Sequence, residues 1–485
     1  MSKFQFILKY ALCAILLLPL AGRAERDWVA GPLFSEFDLT LELGHRKEAV
    51  GPLYYSQHQD TVEQWALPPF YTKTYDPSLE LTEIDSLYPL FTYRRYGGEY
   101  RVQFFQLYAH AGGLTQEDKL RKRFTLFPFY FQQRSPETNQ DYTAVMPFYG
   151  HLVNRLFRDD IKFVMFPAYA VTHKKDVVTT NYFYPFVHVR HGNKLGGWQI
   201  WPIVGQEQKE VTTKTNTLDE VEIIPGHKKF FALWPFFFKD QFGLGTDKPE
   251  RHLTVLPFYS SMHSPVRDSV SYGWPFGFTS TDDREKKYVE HDLFWPLYVF
   301  AHGEGKTTTR IWPFYSQAHN EFQESDFYMW PVYKYNRLHS DPLDRERTRI
   351  LFFLYSDTRE KNTQIKKENR NVAFWPFYTY RQDMEGNSRF QALALLEPIL
   401  PNSKSVVRDY SPLWSIWRSE KNAKNGATSQ SLFWNLYRHQ TSPEVKKTSL
   451  LFGLFQYQST PAGRRWRVLY IPFGEKPAVK AEPKS

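Results

Sequence analysis

The chain has 485 residues, 61 basic against 52 acidic side chains for a net charge of +9, 18% aromatic content and one cysteine. Both signs of charge are dispersed, with no concentrated basic stripe, which argues against a nucleic-acid partner. The cysteine, Cys13, lies in the leading segment, so the rest of the chain has no thiol for a disulfide, a nucleophile or a thiolate metal site.

The chain begins with Lys3 and Lys9, then an apolar run from Tyr10 to Leu20, then small residues at Gly22 and Ala24. That order predicts a secretory signal peptide over 1–24. The apolar run is well short of the roughly 20 residues that a membrane-spanning helix needs. An exported protein without disulfides fits a bacterial envelope.

From residue 25 to 474 one motif recurs, and its copies define a single repeat domain. It reads (W/F/L)-P-(F/L)-Y: "FPFYF" at Pro128, "MPFYG" at Pro147, "WPFFF" at Pro235, "WPLY" at Pro296, "WPFY" at Pro313, "WPVY" at Pro331 and "WPFY" at Pro376. Proline-free copies such as "LFFLY" near Phe353 and "FWNLY" near Asn435 occupy gaps in the series. Together these give roughly 23 copies at about 20 residues each. The spacing wanders by several residues, as hairpin loops do and stacked solenoid units do not. The segment 204–230 is a conspicuous insertion, either a long loop or an extra hairpin, and 475–485 reads as a disordered tail.

A helix centred on the motif is excluded, because proline would break it at its middle. Aromatic residues suit a pleated, half-buried surface. The prediction is therefore all-β: an antiparallel up-and-down meander of about 22 strands, one per repeat, with "HGNKLGG", "HGEGK", "STDDRE" and "MEGNS" as turns. On this reading Trp234, Pro235, Trp295, Pro296, Trp312, Pro313, Trp330, Pro331, Trp375 and Pro376 form the structural motif. The prolines would then line up as a belt at mid-strand, each leaving a ladder carbonyl without its donor.

Two architectures accommodate such a meander. The favoured one is a large β-barrel in the outer membrane, acting as channel, anchor or scaffold. The alternative is a soluble periplasmic or secreted β-propeller or curved β-sheet repeat that binds glycan, lipid or protein. The partners implied are outer-membrane lipid or envelope polysaccharide. Tyr298, Tyr315 and Tyr333, at the motif edges, are the candidate ligand-binding residues.

Catalytic patterns are weak, and a non-enzymatic protein is expected, with no cofactor and no metal. "AHGEGKTTT" has the end of a phosphate loop, but Phe300 stands where its first glycine belongs. His188 and His191 fall on opposite faces of a strand and cannot share a metal. The pairs Asp159 and Asp160, Asp282 and Asp283 read as turn residues. A glycan-processing hydrolase built from two distant carboxylates is the remaining, least favoured reading.

Overall fold

Most described copies of the motif form a turn with a strand on either side; the copies at Pro52 and Pro412 fall in short helices and the one at Pro472 in the last strand. In the computed structural model, which describes residues 33–113, 122–136, 140–215, 221–461 and 463–473, the strand Tyr288–Leu293 enters one such turn at Phe294. Strand Tyr298–Gly303 leaves it, and a polar turn at Glu304–Gly305 leads into strand Lys306–Ile311. One repeat is thus a hairpin. The signal peptide and the tail predicted from sequence lie outside the described residues.

The strands, numbered β1 (Ser35–Asp38) to β45 (Ile471–Phe473) in chain order, build one antiparallel sheet of 43 strands in which each pairs with its neighbours in sequence. The fold is all-β and an up-and-down meander, as expected, with twice the predicted number of strands. The other two, β20 (Thr212–Thr215) and β21 (Val221–Ile224), form a separate hairpin inside the 204–230 insertion. Strand β19 (Val204–Lys209) pairs directly with β22 (Gly226–Ala232), so the meander passes under that hairpin uninterrupted.

The prolines occupy the turns, which corrects the expected mid-strand belt. Leu297 N–H donates to Phe294 O at 2.8 Å and Phe314 N–H to Ile311 O at 2.8 Å, each closing a turn with cis-proline at its third position. A cis-proline there is the mark of a type VI turn. Adjacent motif turns also bond to one another: Trp330 N–H donates to Pro313 O and Tyr184 N–H to Pro167 O, at 2.6 and 2.8 Å. Proline lacks an N–H, so it fits a site that uses only its carbonyl. Proline-free copies, including 351–354 and 433–436, take the same place.

The sheet is not closed into a barrel: β1 and β45 each pair on one side only. It is instead a continuous curved sheet whose two ends meet through side chains. Helices α1 (Lys404–Asp409) and α2 (Ser411–Trp414), between β38 (Ser388–Ala392) and β39 (Trp417–Lys421), lie against β3 (Tyr54–Gln59), β5 (Tyr71–Asp76) and β6 (Leu81–Ser86). Tyr55 donates to Arg408 O at 3.0 Å, Ser405 to Asp85 at 2.8 Å and Tyr410 to Tyr88 O at 2.7 Å. Further along, Asn435 donates to Glu48 at 2.6 Å, and the Arg438 guanidinium stands 3.3 Å over the Phe37 ring.

Between the ends the sheet is a single layer. The principal cluster of buried apolar side chains, Phe131, Tyr142, Ala144, Leu152, Phe163 and Ala170, spans only neighbouring strands of one face. Gly150 completes it, because a Cβ there would come within 2.4 Å of Ala144 and Phe163.

Candidate functional site

Antiparallel pairing puts directly opposed residues on the same face, and alternation along each strand puts their neighbours on the other. The register therefore sorts the chain into two faces and two rims. The face against α1 is called inner. Its row nearest the motif turns includes Tyr55, Ala66, Thr72 and Asp85 at one end, and Val299, Arg310, Ser316, Phe327, Lys334 and Arg349 further along. Small and polar residues dominate it.

The matching row on the outer face is aromatic and aliphatic. Tyr298 opposes Ile311, Ile311 opposes Tyr315, Tyr315 opposes Tyr328, and Tyr328 opposes Tyr333. The three tyrosines singled out from sequence thus stand in one row on one face. Tyr328, which sequence reasoning passed over, lies between the last two, with ring centroids 5.6 Å from Tyr315 and 5.7 Å from Tyr333. Only the register could reveal it.

The rim of motif turns is apolar at nearly every position and open to solvent. In several copies the residue after proline is strongly exposed: Phe258 at 73%, Phe276 at 69% and Phe314 at 58%. The residues before proline turn to the inner side, where Phe127 and Phe166 meet Phe131 and Phe163 edge-on at 6.4 Å. They also touch along the rim, with Trp201 and Trp234 at 5.4 Å and Trp312 and Trp330 at 5.9 Å. Trp295 and its neighbour Phe294 are both half-exposed, and Trp375 donates its indole N–H to Leu395 O at 3.0 Å.

The opposite rim is mainly polar, with isolated exposed apolar residues at Leu79, Leu156, Phe157, Phe322 and Ile365. Its turns carry Lys175 and Asp176, Asn193 and Lys194, Glu304, and Asp341. Asp159 and Asp160 open a strand and Asp282 and Asp283 end one, so both pairs border these turns and do not form them. Asp283 accepts from Lys286 N–H at 2.9 Å, and Asp160 stands 3.0 Å from His151. The register also puts His188 and His191 on opposite faces of their strand.

Charged pairs differ between the faces. On the outer face Arg337 forms a two-pronged pair with Asp344 at 3.0 and 3.0 Å, and Arg370 with Asp357 at 3.1 and 2.8 Å. On the inner face at the joined ends, Arg408 bonds Asp85, Asp409 and Glu83. Burial pushes the Arg438 and Arg418 guanidiniums down to about 10, and burial pushes the Tyr55 hydroxyl up to about 12. Asp292, half-buried on the inner face, is raised to about 6 by burial and by nearby Glu290.

No protein-family model matches the chain, and no curated protein resembles it significantly. Among the described residues no helix is long and apolar enough to cross a membrane, and no group of three or more His, Asp or Glu side chains is arranged to hold a metal ion.

Proposed function

We propose that the protein is an exported, non-enzymatic scaffold of the cell envelope that anchors edge-on in a lipid surface through its rim of motif turns. The observation that carries this reading is the contrast between the rims, one lined at nearly every turn by exposed Phe, Trp, Leu and Met, the other mainly by polar and charged residues with only isolated apolar ones such as Phe157. Soluble monomers rarely expose a continuous apolar patch of such extent, and one bordered by polar residues marks a protein or membrane contact.

Strand length favours resting in a membrane over spanning it. Six residues, the commonest strand length here, extend about 20 Å. A membrane-spanning strand takes about 9–11 residues to cross a hydrocarbon layer of about 30 Å. An apolar edge with polar groups behind it suits the boundary between headgroups and acyl chains. A second reading rests on the outer row: Tyr298, Tyr315, Tyr328 and Tyr333 offer a flat aromatic strip on which an envelope glycan could stack.

Flotation with neutral phosphatidylcholine vesicles tests the anchor. The protein from residue 25 onward should float with the lipid. The combined variant Phe258→Asp, Phe276→Asp and Phe314→Asp should remain folded and bind at least tenfold more weakly, because each exposed ring is worth roughly 1 kcal/mol or more on insertion. Equal flotation of the folded variant would sink the anchor. Replacing Tyr298, Tyr315 and Tyr333 with alanine tests the glycan strip, through retention on immobilised envelope polysaccharide.

A further inference from the structure

The inner face of strands β30 (Lys306–Ile311) to β34 (Leu343–Ile350) carries cations that the chain itself does not neutralise. Lys334 stands directly opposite Arg349 on the neighbouring strand, and Arg347 lies two residues further along the same face. Among the described residues these three form no ion pair, and the Arg349 Nε is buried without a hydrogen-bond partner. Arg310 belongs to the same row three strands away, its Nε donating to Ser316 at 3.3 Å. Like charges directly opposed across strands are unfavourable. Burial and the neighbouring arginines push the Lys334 ammonium and the Arg347 guanidinium below their ordinary values.

Their height on the sheet matters as much as their charge. Arg310, Lys334 and Arg349 are each the second residue from the motif turns, next to Ile311, Tyr333 and Ile350. Beyond those come the turn residues Trp312, Phe314, Met329, Trp330 and Phe352, all more than a third exposed. An apolar edge backed one residue later by unpaired cations matches the order of layers in a lipid surface, with acyl chains first and phosphates next.

We propose that this inner-face row binds the phosphate groups of anionic lipids whose acyl chains receive the motif rim. The inference rests on the anchoring role proposed above and adds to it a headgroup preference. Lys334, Arg347 and Arg349 supply the charge; Arg310 extends the row across about 20 Å of sheet.

The test compares vesicles of pure phosphatidylcholine with vesicles containing one quarter phosphatidylglycerol, using the protein from residue 25 onward and the variant Lys334→Gln, Arg347→Gln, Arg349→Gln. The wild type should prefer the anionic vesicles, and salt should abolish that preference. Each cation near an anionic surface contributes roughly fivefold in binding, so the variant should lose about a hundredfold on anionic vesicles while its binding to neutral ones is unchanged. Its melting temperature should stay the same or rise, since repulsion has been removed; a marked fall would assign the cations a structural role and overturn the proposal. Equal binding of wild type and variant to anionic vesicles would overturn it and leave the apolar anchor intact. No binding of the wild type to either vesicle would overturn both. Retention on a carboxylated polysaccharide with no preference for anionic lipid would reassign the row to a glycan.

Discussion

The two joined ends of the sheet and its open middle use the same inner-face row in opposite ways. At the ends Arg408 is almost enclosed and meets Asp85 and Asp409, which are 2% and 1% exposed. In the middle Lys334 and Arg349 face one another with no carboxylate between them. A buried charge persists only with a partner, whereas an open one can remain unpaired because water solvates it. The row therefore takes part in an internal clasp where another part of the chain covers it, and carries unpaired cations in the middle of the sheet.

The largest expected effect breaks the clasp. Arg408→Ala leaves Asp85 and Asp409 buried without their cation and should cost about 3–5 kcal/mol. Hydrogen exchange should then accelerate in β3, β5 and β6 while the strands from β24 (Glu250–Val255) to β37 (Tyr378–Gln382) keep their protection. Uniform acceleration along the sheet would mean that the ends and the middle form one cooperative unit.

A smaller effect is expected in the apolar cluster, which owes nothing to charge. Gly150→Ala forces a methyl against Phe163 and should cost roughly 1–3 kcal/mol, read as a lowered denaturation midpoint.

Asp292 sharpens the comparison through pH. Its folded-state value, about 6, lies above the ordinary carboxylate value. The native state therefore holds this proton more tightly than the unfolded chain, and stability is lost as pH rises through about 4 to 6. Asp292→Asn should stabilise the protein by about 1 kcal/mol at neutral pH, after allowance for partial solvent screening, with no gain near pH 3.5. A gain independent of pH would remove the carboxylate as its cause.

The smallest effect should come from Arg349→Gln. Relieving the cross-strand repulsion should raise stability by a few tenths of a kcal/mol. Arg337→Ala, on the outer face, should instead lower it by up to about 1 kcal/mol, as for an exposed ion pair.

The motif and its period were plain in the sequence, and they led correctly to an all-β meander. What they concealed was which half of the repeat turns the chain. Turns are ordinarily polar and glycine-rich, so "HGEGK" was legible as a turn while "FWPLY" passed for a strand. Two facts favoured the other reading: proline is poorly placed inside a strand, and a repeat of about 20 residues exceeds the usual strand of 5 or 6 by enough to hold two.

Tyr298, Tyr315 and Tyr333 were legible because the motif marks them. Lys334, Arg347 and Arg349 were not, because they lie among charges of both signs, Asp344 and Glu346 included. Alternation sends those acids to the outer face and leaves the cations together on the inner one.

The amino-acid sequence by itself was enough to read an all-β meander and its polar turns, because propensity, proline and the repeat period act locally. Its curvature, the helical clasp between residues some 320 apart and the assembly of the inner cationic row were decided only by tertiary structure. The clasp depends on which distant segments become neighbours, and the row on the register that successive hairpins keep across many strands; no single stretch of chain carries either.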